Sequence, residues 1–238
     1  MKKNDLVYGC YPYGNEILCL PHSIKGINAI NQNHYHSTCS SLFTDIDKPT
    51  DELLYWFRWT LGHHISFLCW IFINKYLQDN LHLQDQRKTE LNIHRCTSLM
   101  HLMNCMYIYT ATVPSTIYCS YIRNSMELYF SGFSATWAKD YVVLKDMIQK
   151  YCNMSDLVLG QETIRTSFNK TKIVHFAIAG KLVKDRKSLL QQLNNPHKPL
   201  FPSQYHKIYD NFFLVDRVNY ISEKSLINGL IKRLYAVL

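Results

Sequence analysis

The chain has 238 residues, 47% of them apolar and 13% aromatic, with 18% charged against roughly 25% in an average soluble domain. It holds 8 Gly and 7 Pro, about half the usual share. These values exclude a disordered, collagen-like, repeat or coiled-coil chain and predict a mostly helical protein with a sizeable core. The net charge is +8, but the basic residues are scattered, and Lys181, Lys184, Arg186 and Lys187 form the one cluster. That pattern suits a solvated surface better than a nucleic-acid footprint.

Residues 1–49 read as an irregular N-terminal segment, with Pro12, Pro21 and Pro49 and the polar stretch Asn31-Gln-Asn-His-Tyr-His-Ser-Thr-Cys39. Lys2 and Lys3 are followed by Asn4 and Asp5 rather than by an apolar signal region. The most apolar run, Ile65–Ile73, is far short of the ~20 residues of a bilayer span. A cytoplasmic chain without a membrane partner is therefore expected. Its eight cysteines lack CxxC and finger spacings, so they are expected to be thiols, mostly small core hydrophobes.

From Thr50 the signals become helical. Thr50 is an N-cap, and Asp51 and Glu52 complement the positive end of a helix that runs to about Leu77 with aromatics on nearly every face. A second helix is expected from about Asp85 to Tyr109, with Leu91, Leu99, Leu102, Met103 and Met106 inward, and Pro114 closes it. A third spans about Ser115 to Tyr129 and stops at Ser131-Gly132-Phe133; a fourth runs from about Ser134 to Cys152. Helical patterning resumes near Glu162, with a break around Gly180, and ends near Leu193. Three prolines make Asn194–Pro202 a loop, and a last helix is expected from Ser222. No linker divides residues 50–238, which predicts one all-α, single-domain helical bundle.

Eleven histidines are many for this length. His63 and His64 lie in the most aromatic helix, His94 and His101 on the second, and His175 inside the apolar run Ile173–Ala179. A histidine on an apolar helical face is more often a hydrogen-bonded core residue than a ligand. Arg123 sits in an equally apolar helix, where a guanidinium needs a carboxylate. Glu127, one turn on, would make it structural; a substrate carboxylate held by both nitrogens would make it functional.

In order, these motifs resemble the tryptophan 2,3-dioxygenase/indoleamine 2,3-dioxygenase superfamily of haem-dependent aromatic oxygenases. Over residues 50–145 the chain shows Asp51-Glu-Leu-Leu-Tyr55, His63 or His64 followed by Leu68 and Trp70, Thr110-Ala-Thr-Val-Pro114, Tyr121-Ile-Arg123 and Ser131-Gly-Phe-Ser-Ala135. The family has an Asp-Glu-opened helix with a distal His, a Thr-Pro turn, a substrate-binding Arg and Ser-Gly-Phe-Gln-Ser. The resemblance implies a haem pocket within the helical bundle and an axial iron ligand on a late helix, which falls on His175, with His206 as runner-up. It also implies Arg123 on the substrate carboxylate and Ser131, Gly132 and Phe133 along the haem edge. His63 or His64 would face the distal side, or Trp59 if the two motifs are aligned without inserting a helical turn. Haem b, O2 or peroxide, and a small indole or phenol amino acid or derivative are the implied cofactor, oxidant and substrate. Relatives in natural-product pathways, the haem-dependent tyrosine hydroxylases, attach haem through His-x-x-x-Cys, a spacing shared by His101 and Cys105. Related enzymes are commonly homo-oligomers, and the N-terminal segment offers a surface for one.

Two other classes remain open from sequence. A non-catalytic basic helical module would bind RNA or an acidic partner through its positive charge and take no cofactor. A di-iron oxidase is disfavoured, because the helices lack the paired Glu and Glu-x-x-His sets such a centre requires.

Overall fold

The computed structural model describes residues 6–13, 16–24, 50–154, 159–183, 188–192 and 201–219. They divide into two compact units, Thr50–Phe213 and a second formed by Met1–Pro49 with Leu214–Leu238.

The larger unit is all-α, in keeping with the expected fold class. Helix α1, Asp51–Asn80, opens on Thr50, whose Oγ1 accepts from the Leu53 N–H at 3.4 Å. Helix α2, Gln86–Thr110, opens on Asp85, whose Oδ1 accepts from the N–H groups of Arg87 and Lys88 at 3.0 and 3.3 Å. Neither helix contains an internal proline, so the caps and the apolar run decide their limits. The chain then forms α3, Ser115–Ile117, a π-helical stretch Tyr118–Ile122, and α4, Arg123–Tyr129. A 3-10 turn at Ala135–Trp137 leads into α5, Lys139–Cys152, and α6 covers Gln161–Val183 without a break at Gly180. Short α7, Leu189–Gln192, and α8, Pro202–Phe212, complete the unit.

Four long helices close a ring: α1 packs on α2 and α5, and α6 packs on α2 and α5. Their shared core holds Phe67, Ile71, Ile73 and Leu77 of α1, Cys96, Met100 and Met103 of α2, Leu144 and Ile148 of α5, and Ile164 and Phe168 of α6. The inward face of α2 therefore differs from the expected one. Leu91 and Leu102 are exposed, because packing follows the stripe Ile93, Cys96, Met100, Met103 at helical spacing. Gly62 of α1 permits the close approach of α2, since a Cβ there would collide with Thr110 Cγ2.

The smaller unit corrects the reading of the N-terminal segment as irregular over residues 6–13 and 16–24, while the polar stretch 31–39 lies outside the described residues. Strands β1, Leu6–Tyr13, and β2, Glu16–Ile24, form an antiparallel hairpin, and β3, Asp216–Asn219, pairs with the other edge of β2. Leu18, Cys19 and Leu20 of the central strand are buried. Two of the prolines that argued for a loop are accommodated: Pro12 lies on edge strand β1, and Pro21 pairs in register with Tyr8 beside the irregularity between Val7 and Tyr8, while Pro49 lies outside the described residues. Residues 214–219 thus belong with the N-terminal hairpin rather than with a continuous domain over 50–238. The helix expected from Ser222 lies outside the described residues. No described helix is long and apolar enough to cross a membrane.

Candidate functional site

One face of α1, read at helical spacing as Trp59, Gly62, His63, Ser66 and Trp70, forms a wall of a cavity of about 430 Å³ inside the Thr50–Phe213 unit. Tyr107 and Thr110 of α2, Tyr118, Arg123 and Met126 around the π-helical stretch, Phe133, and Phe168, Thr171 and His175 of α6 supply other walls, and Tyr209 and Phe213 complete it. Trp59 and His63 of α1, Arg123, Phe133 and His175, drawn from four stretches of sequence, all meet here. Ser131, Gly132 and His64 do not line it.

His63 is held in one tautomer. Its Nδ1–H donates to the Trp59 carbonyl at 2.7 Å, so Nε2 carries a lone pair. The ring stacks on Phe213 with centroids 4.3 Å apart and an interplanar angle of 14°, and tilts against Trp59 at 4.7 Å. Burial lowers its pKa to about 4, against a raising contribution from the Trp59 carbonyl, with His64 and His175 adding smaller lowering effects. His64 faces elsewhere, its Nε2–H donating to the Phe213 carbonyl at 2.7 Å, and burial lowers its pKa too.

Arg123 is 5% exposed and follows directly on the π-helical stretch, its N–H donating to the Tyr118 carbonyl five residues back. That wider turn rotates the register so that Tyr118, Ile122, Arg123 and Met126 all become buried. The guanidinium hydrogen-bonds the Tyr118 hydroxyl; burial raises that phenol's pKa and the neighbouring positive charge opposes the rise. Glu127 is exposed and makes no ion pair among the described residues.

The turn at Ser131–Phe133 acts through Gly132. Its φ of 80° is open to glycine at no steric cost, and the Phe133 N–H donates to the Phe130 carbonyl at 3.1 Å. Phe133 is thereby turned inward, where it stacks on Tyr209 at 5.5 Å and 17°. Ser131 and Gly132 shape the wall without being part of it.

His175 occupies an exposed position of α6 at the cavity edge, its ring flanked edge-on by Tyr107 at 5.5 Å and Phe176 at 6.0 Å. Protein packed around it lowers its pKa. His206 is on α8, and its Nδ1–H donates to the Trp137 carbonyl at 2.7 Å away from the cavity lining. His94 and His101 lie on the exposed face of α2, with Cys105 Sγ 3.8 Å from His101 Nε2. The periodicity that turns Met103 and Tyr107 inward turns these outward, so Cys105 does not reach the cavity and a thioether there has no support.

Tyr107, Tyr209 and Phe213 are site residues not singled out from the sequence, whereas Trp70 entered there as part of the motif that follows His63 and His64. Tyr209 and Phe213 come from α8 and its end, where Pro202 at the first helical turn followed by Tyr205, Tyr209 and Phe212 carried the helix signal. Of the basic cluster, Lys181 donates to the Ala111 carbonyl at 2.9 Å, and positions 184, 186 and 187 lie outside the described residues. Among the described residues no three His, Cys, Asp or Glu side chains converge to hold a bare metal ion. No protein-family model matches the chain, and no curated protein matches it.

Proposed function

We propose that this protein is a haem-dependent oxygenase of a small aromatic substrate, an indole or phenol amino acid or a derivative, and a divergent member of the tryptophan/indoleamine dioxygenase-like superfamily. The observation that carries the reading is the convergence of Trp59, His63, Arg123, Phe133 and His175 on one cavity. Its volume of about 430 Å³ falls in the ~300–1,000 Å³ range of small-molecule and cofactor sites.

The residues present fit haem b by their chemistry. Two imidazoles kept neutral by their surroundings face a largely aromatic space, and one or two imidazoles suffice for a metal delivered inside a macrocycle. The indole N–H of Trp59 is buried without an acceptor among the described residues, which a ligand oxygen would satisfy. Haem, when bound, supplies the activation of O2 or peroxide. The chain's own residues do the rest. Arg123, buried and fixed against Tyr118, holds the substrate carboxylate; Phe133, Tyr107 and Trp59 set the ring plane and exclude water. One imidazole holds iron, a role that the resemblance gives to His175, and the other orients a substrate N–H or O–H.

The test is reconstitution of the folded chain with haem, read by absorbance and a pyridine haemochrome assay. A stoichiometric Soret band with a haemochrome of the non-covalent type is expected. A folded protein that stays colourless after reconstitution overturns the reading.

A further inference from the structure

Two imidazoles share the cavity, and their surroundings differ in the way that separates a metal ligand from a mobile polar group. We infer that His63 is the iron ligand and His175 the group that faces substrate and oxidant, the reverse of what the resemblance implies; the inference rests on the haem reading above.

An axial imidazole must present one bare nitrogen while its other N–H is anchored, because the anchor fixes the tautomer and the ring plane. His63 meets both conditions: Nδ1–H is held by the Trp59 carbonyl at 2.7 Å, leaving Nε2 bare. His175 makes no hydrogen bond to another described residue through either nitrogen. The His63 ring is also immobilised, stacked on Phe213 at 4.3 Å and against Trp59 at 4.7 Å, with Phe213 1% exposed. His175 has only edge contacts, one of them to Phe176, which is 71% exposed.

The cavity-lining neighbours of His63 on α1 are Trp59, Gly62 and Ser66, and the Ser66 hydroxyl is turned back onto the Gly62 carbonyl at 2.8 Å. At the open edge, by contrast, an untethered imidazole can swing to donate to or accept from a substrate as it enters.

The experiment compares the full-length chain with His63→Gly and His175→Gly after reconstitution with haem, using haem affinity and the iron–imidazole stretching band of the ferrous form, without and with added imidazole. In His63→Gly the band is expected to vanish and affinity to fall by more than about tenfold, since even a lost outer-shell partner costs about 10–100-fold. Both should return when imidazole fills the space, while His175→Gly keeps band and affinity. If His63→Gly does not fold, His63→Cys places a thiolate at the same point, and a thiolate-type spectrum marks this position as the one that reaches iron. Loss of the band in His175→Gly, alone or together with His63→Gly, overturns the assignment. A wild-type chain that takes up no haem overturns the haem reading itself, and the assignment with it.

Discussion

A buried histidine that stays neutral ties the stability of this fold to pH. His63 has its pKa lowered from 6.5 to about 4, so between those values the unfolded chain binds a proton that the folded chain refuses. Stability is therefore full above pH 6.5 and falls as pH drops toward 4. Each tenfold loss of proton affinity on folding corresponds to about 1.4 kcal/mol, so His63 alone removes about 3 kcal/mol by pH 4. His64 and His175 are displaced in the same direction by burial and steepen the same slope. Urea unfolding between pH 7 and 4 checks this: His63→Gln should flatten the curve, and an unchanged slope would mean that the imidazole is already protonated in the fold. Arg123 belongs to the same scale. Arg123→Met keeps the apolar stem and removes the charge. With charged hydrogen bonds contributing about 1.5–3 kcal/mol, KM for a carboxylate substrate should rise about 10- to 150-fold. The corresponding amine lacking the carboxylate should show no change, and the haem spectrum should be retained.

Between elements, α1 and α2 approach closely at Gly62 and Thr110. Gly62→Ala forces a methyl into Thr110 Cγ2 and is expected to cost about 1–3 kcal/mol, as overpacked cores do. Thr110→Ser removes that Cγ2 yet keeps the hydroxyl that donates to the Tyr107 carbonyl at 2.8 Å. The double variant should recover most of the loss, a coupling that denaturant unfolding of the four-member cycle measures. None of this could be read from the sequence, since a glycine inside a helix says nothing about which neighbour needs its missing Cβ. The starts of α1 and α2 were legible, because Thr50 and Asp85 are capping residues and the cap is a local interaction. Helix α8 was not, since prolines just before it outweighed an apolar stripe of only Tyr205, Tyr209 and Phe212. The π-helical turn before Arg123 was equally hidden: it changes register by one residue and leaves the composition of the helix unaltered.

At the scale of the molecule, the boundary at Thr50 was visible as a change from turn-formers to capped, periodic sequence, and it coincides with the limit between the two units. The return of residues 214–219 to pair with β2 was not visible, because strand pairing over that separation depends on backbone hydrogen bonds that any short β-forming run can make. The site was legible as a set of residue types, His63, Arg123 and His175, but their roles depend on which carbonyl or ring each one meets. Every described wall of the cavity belongs to the Thr50–Phe213 unit, including four helices that pack in a ring. A ligand filling that cavity touches all four helices and exists only when they are assembled, so it binds the folded chain and not the unfolded one. Its effect follows mass action, RT ln(1 + [L]/Kd), about 2.7 kcal/mol at a free ligand concentration one hundred times Kd. Haem added to the wild-type chain should therefore raise the urea midpoint progressively, with no plateau as the concentration passes Kd. In His63→Gly the same rise should require proportionately more haem, by the factor through which its Kd has weakened. A midpoint that does not move with haem would mean that the group is bound outside the cavity or not at all.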